Sequence, residues 1–171
     1  MKTPARIILP VCLLLSSVII SCSQPENTST MFSTFQGDSG RKASFALDFL
    51  DSTSDYSLSL IVRLPKNSFP DTLSMGISFT APSGVRGTET VSLPSDFNVL
   101  KRYIKDHPED TRIRLASTPD FCDISWKYRE RIRPSEYGTW IMDITIQDTG
   151  SDILGAGVTI NKTTDTTANP N

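Results

Sequence analysis

Apolar and polar residues alternate along most of the chain. Phe45, Leu47 and Phe49 alternate with Ser44, Ala46 and Asp48, and Tyr56, Leu58, Leu60, Val62 and Leu64 with Ser57, Ser59, Ile61 and Arg63. Leu73, Met75, Ile77, Phe79 and Ala81 continue the pattern, and Pro82-Ser83-Gly84 turns the chain into a run through Val91 and Leu93. Ile113 and Leu115 follow, then Cys122 to Tyr128, Trp140 to Ile146, and Leu154 to Ile160. A period of two puts alternate side chains on opposite faces of a strand. These runs predict eight strands with one apolar face each, and such faces need a second sheet to cover them. The expected fold is all-β: an antiparallel β-sandwich, Ig-like or jelly-roll-like, with at most one short helix. That helix is expected over Ser95 to Lys105, with Ser95 as N-cap and Phe97, Leu100, Tyr103 and Ile104 as its buried stripe.

The first residues break the pattern. Lys2 and Arg6 precede an apolar run from Ile7 to Ile20, which ends in Ile19-Ile20-Ser21-Cys22. The run is short for a bilayer span and has the build of a secretory signal. Its end resembles the bacterial lipobox: an aliphatic residue, a permissive one, a small one for the peptidase, and a cysteine whose thiol becomes the thioether carrying diacylglycerol. The expected organisation is a signal peptide at 1–21, a lipidated flexible tether at 22–42, a β-sandwich at 43–161 and a disordered tail at 162–171. Acyl chains contribute about 0.8 kcal/mol per buried CH₂, so more than one chain anchors durably.

Cleavage removes Lys2 and Arg6, leaving 15 basic against 19 acidic residues. This balance argues against a general nucleic-acid binder. Three cysteines are too few for a disulfide scaffold. With Cys12 in the leader and Cys22 acylated, Cys122 is expected to be a buried, inert core thiol. His107, the single histidine, lies in a charged Lys105–Asp110 stretch and reads as a solvated loop residue rather than a metal ligand. No nucleophile elbow or glycine-rich phosphate loop occurs. The expected protein is therefore not an enzyme and uses no cofactor or metal.

The candidate chemistry on the surface is basic. Lys127, Arg129, Arg131 and Arg133 occupy alternate positions and line one face if the strand stays regular; Arg112 and Arg114 face outward on another strand by the same logic. Two readings compete. One is cross-strand pairing with carboxylates and protection of an edge. The other is a docking face for an acidic partner, whether an envelope protein, an anionic glycan or lipid headgroups. Tyr137, in Pro134-Ser135-Glu136-Tyr137-Gly138, resembles a tyrosine corner. Gly155-Ala156-Gly157, inside a strand pattern, marks a bulge or a close backbone approach.

Several segments together resemble the GldH-like gliding-motility lipoproteins of the Bacteroidetes. They are Tyr56 to Arg63 followed by Ser68-Phe69-Pro70-Asp71-Thr72-Leu73, then Trp126 to Arg133 running into Tyr137-Gly138-Thr139-Trp140, and Ile153 to Val158 near the end. The chain lacks the family's tryptophan after the lipidated cysteine, offering Phe32 and Phe35 instead. The resemblance implies a lipoprotein of the cell envelope, facing the periplasm from the outer membrane, that acts without catalysis in a motility- or secretion-associated assembly. It carries over no catalytic residues. The other expectation is a lipid-anchored carbohydrate-binding module, which needs aromatic side chains exposed at a groove; Trp126 and Trp140 read as inward.

Overall fold

The computed structural model describes residues 27–35, 41–147 and 152–164. The leader, Cys22 and residues 165–171 of the expected tail lie outside these residues. Among these described residues, nine strands and one helix follow in the order β1 (Thr28–Thr34), β2 (Lys42–Phe49), β3 (Ser54–Pro65), β4 (Thr72–Thr80), β5 (Arg86–Pro94), α1 (Phe97–Asp106), β6 (Ile113–Ser117), β7 (Phe121–Ile132), β8 (Gly138–Ile146) and β9 (Gly155–Thr164). They form two antiparallel sheets, ordered β1-β9-β3-β7-β6 and β2-β8-β4-β5. The pairs β1·β9, β2·β8, β3·β7 and β4·β5 are nested, like successive rungs of one long hairpin closed at the β4–β5 turn. Rolling that hairpin sends odd pairs into one sheet and even pairs into the other, which is jelly-roll connectivity. β6 is an added edge strand beside β7.

The period of two in the sequence is the period of burial. β3 alternates buried and half-buried residues along its whole length, and β2 alternates exposed and buried ones. Leu47, Leu60, Val62, Leu64, Leu73, Met75, Ile124, Met142, Ile144 and Val158 are fully enclosed between the sheets. Cys122 is buried on this inner face. Trp126 is buried as well, and its indole N–H donates to the Pro94 carbonyl at 3.0 Å, fastening β7 to the end of β5.

Five expectations need correction. Thr28–Thr34, expected inside the tether, is β1, an edge strand paired with β9. Its hydrophobic signal is weak because only Met31 and Phe32 are large; Gly155 and Gly157 across the pair supply the missing cue. β9 continues to Thr164, so residues 162–164, expected in the tail, are strand. The helix cap is Asp96, whose carboxylate accepts from the N–H groups of Asn98 and Val99, whereas Ser95 is buried and donates to the Pro70 carbonyl. An aspartate with two amides in reach satisfies the first turn better than a serine committed elsewhere. Of the predicted stripe only Leu100 is buried, while Phe97 stacks on Phe69. Finally, Tyr137 is exposed. The tyrosine that ties a corner to backbone is Tyr56, whose hydroxyl accepts from the Asp51 N–H and donates to the Asp51 carbonyl.

Candidate binding surface

The basic alternation on β7 does not survive as one face. Against β3, β7 gains an extra residue twice: Ser59 lies opposite Lys127, Leu58 opposite Arg129, and Tyr56 opposite Ile132. Such bulges re-aim side chains and increase local twist. Arg131 sits within the irregular stretch with a left-handed backbone, φ 53°, which costs a non-glycine residue about 1 kcal/mol. Lys127 therefore lies on the outer face of the five-stranded sheet, where it meets Glu130 at 2.9 Å and donates to Thr111. Arg129 reaches across to the other sheet and forms two hydrogen bonds to Glu89 on β5, at 2.7 and 2.8 Å. Tyr128 also donates to Glu89 and stacks on Phe79. Partial burial pushes the Glu89 carboxyl upward, but its bonds from Tyr128 and Arg129 outweigh this and hold it below the ordinary glutamate value. Arg133 pairs with Asp55 on β3 at 2.6 Å. Three of the four predicted docking residues are thus matched to carboxylates, on different sides of the molecule.

The outer face of the five-stranded sheet has a different organisation, set by register. One row crosses it as Thr34, Gly155, Arg63, Asp123 and Ala116; the next as Phe32, Gly157, Ile61, Ser125 and Arg114; the third as Thr30, Thr159, Ser59 and Lys127. The first two rows, with Phe121 at the start of β7, hold a stack that sequence reasoning missed. Arg63 lies between the rings of Phe32 and Phe121, 4.7 and 3.8 Å from their centres, and grips Asp123 with two hydrogen bonds of 2.7 and 2.8 Å. This bidentate contact raises the guanidinium pKa against the opposing effect of partial burial. Phe32 occupies the space that side chains on β9 would fill: a Cβ at Gly155 would stand 2.5 Å from the Ser33 carbonyl, and one at Gly157 2.6 Å from that of Met31.

Beyond the stack the face becomes a trough of about 570 Å³, within the size range of small-molecule sites. Its floor is hydroxyl-rich across β1, β9 and β3, and its far side carries Arg112, Arg114 and Lys127. No carboxylate lines it. Arg112 is held from outside the trough by Asp110 at 2.7 Å, and the guanidinium keeps the Asp110 carboxyl well below the usual range. Arg114 has no carboxylate partner among the described residues. Thr30 and Thr159 share a hydrogen bond, as do Thr28 and Asn161, so the floor is preordered while each oxygen keeps spare bonding capacity. Arg112 and Arg114 were visible in the sequence; the hydroxyl floor was not, because its residues come from strands far apart in the chain.

His107 lies at the helix C-terminus, tilted against Tyr103 and 3.5 Å from Glu109. Among the described residues, no three His, Cys, Asp or Glu side chains converge as a metal site, and no helix is long and apolar enough to cross a membrane. Comparison of the chain with protein-family models, curated proteins and solved structures finds no match.

Proposed function

We propose that this protein is a lipid-anchored binding component of a bacterial cell envelope, acting without catalysis in a motility- or secretion-associated assembly. Cys22 carries the lipid, and the outer face of the five-stranded sheet is the working surface. The observation that supports this reading is the trough: a preordered polar floor edged by Arg112, Arg114 and Lys127 and free of carboxylates. Its geometry suits the holding of a ligand. Because β1 starts at Thr28, the chain from Cys22 to the sandwich spans at most about 20 Å. Such a short link holds the body close to the lipid and leaves the start of β1, which lines the trough, nearest the anchor.

Anchoring makes a sharp prediction. Cells fed a clickable palmitate analogue incorporate label into the wild-type protein and none into Cys22→Ala, which accumulates as the uncleaved precursor. Equal labelling of the two would contradict the anchor.

A further inference from the structure

We infer that the trough on the five-stranded sheet binds an acidic, uronate-bearing polysaccharide. The inference rests on the reading of this face as the working surface and names its ligand class.

Two features of the trough point to this chemistry. The first is charge. Arg114 projects from β6 beside Ser125, unpaired among the described residues, and Lys127 lies one row away on β7, its ammonium shared with the exposed Glu130 outside the trough. A planar guanidinium presents paired donors that match a carboxylate, and a nearby ammonium adds a second attraction. The second is the floor. Thr30, Thr159, Ser59 and Lys127 form a straight row across four adjacent strands, spaced by about 4.8 Å. That interval is close to the rise of one sugar ring in an extended polysaccharide. A polymer lying along the row thus places rings over Thr30, Thr159 and Ser59, whose oxygens can donate or accept, and a carboxylate-bearing ring near Arg114 and Lys127. The stack of Phe32, Arg63 and Phe121 lies on the same face but outside the trough, whose lining has no aromatic ring, so charge and hydroxyls rather than ring stacking hold the polymer.

A lipid surface fits less well. The large exposed apolar side chains are Leu50, Val85, Val99, Tyr137, Ile141 and Leu154, and none of them lines the trough. A membrane-docking face needs apolar groups that enter the acyl boundary, whereas this face offers oxygens.

The test uses the acylated full-length mature protein in zwitterionic nanodiscs, with polygalacturonate and neutral dextran as probes. Polygalacturonate is expected to bind saturably, more weakly as salt rises, and dextran not to bind. Arg114→Glu with Lys127→Glu should weaken polygalacturonate binding by about tenfold or more, equivalent to about 1.4 kcal/mol. Lys101→Glu with Arg102→Glu, the same charge change on exposed positions of α1, should leave it within about twofold. All four positions are exposed, so both double variants should fold. The inference is overturned if polygalacturonate fails to bind, if dextran binds as well, or if the two double variants lose binding equally. Displacement of the polymer by soluble glycerophosphoglycerol, at the concentration where galacturonate displaces it, would assign the trough to lipid headgroups and also overturn it. None of these results touches palmitate labelling at Cys22, so failure of the ligand assignment is distinguishable from failure of the anchor.

Discussion

Gly157→Val should strip β1 from the sandwich while leaving the rest of the fold standing. A Cβ at Gly157 meets the Met31 carbonyl at 2.6 Å and the Phe32 ring at 2.8 Å. A carbonyl held in a sheet ladder cannot step aside, so relief requires β1 to move away from β9. β1 is an edge strand with one neighbour, and β9 keeps its pairing to β3. The expected cost is on the order of 3 kcal/mol, at the upper end of overpacking penalties, because backbone as well as side chain is displaced. Amide exchange resolves the effect by segment. Met31 to Ser33 should lose protection while β3 and β7 retain theirs. Unchanged protection in β1 would show that the glycines are not what admits the strand.

Arg63→Leu should cost about 2 kcal/mol, read as a lower urea midpoint with unchanged slope. The guanidinium touches two rings and makes both of its strong bonds to one carboxylate; Phe121 and Asp123 lie on the neighbouring β7, and Phe32 on β1 beyond β9. Leucine keeps the apolar bulk between Phe32 and Phe121 but leaves Asp123 without its partner on a half-buried face. Arg63→Lys should recover little of the loss, since an ammonium cannot bond bidentately or stack. A Leu variant as stable as wild type would reduce the stack to a surface ornament with no hold on β1.

Both effects arise where the sequence was hardest to read, and the reason is physical. Strands such as β3 declare themselves because one face is buried along the full length, so Tyr56, Leu58, Leu60, Val62 and Leu64 repeat at the right interval. β1 is short, lies at an edge and packs its aromatic on the outer face, so its residues carry no clear period. The cue to it lies more than 120 residues along the chain, in Gly155 and Gly157, whose missing side chains make room for Phe32. The basic run on β7 failed in the opposite way. Its alternation was clear, yet a register shift between Lys127 and Arg129 turned them toward different surfaces, a second followed before Ile132, and carboxylates on β3 and β5 claimed Arg133 and Arg129. Bulges are fixed by pairing, which a single strand's pattern does not contain. The trough was partly legible, through Arg112 and Arg114, but its floor exists only once β1, β9, β3 and β7 lie side by side.

In-cell photo-crosslinking tests the central claim most directly. A diazirine-bearing residue at Ser59, in the middle of the trough, is compared with one at Ala46, exposed on the outer face of the other sheet. The account predicts abundant high-mass adducts from Ser59 and few from Ala46. Equal adduct formation at the two sites, or adducts from Ala46 alone, would contradict it.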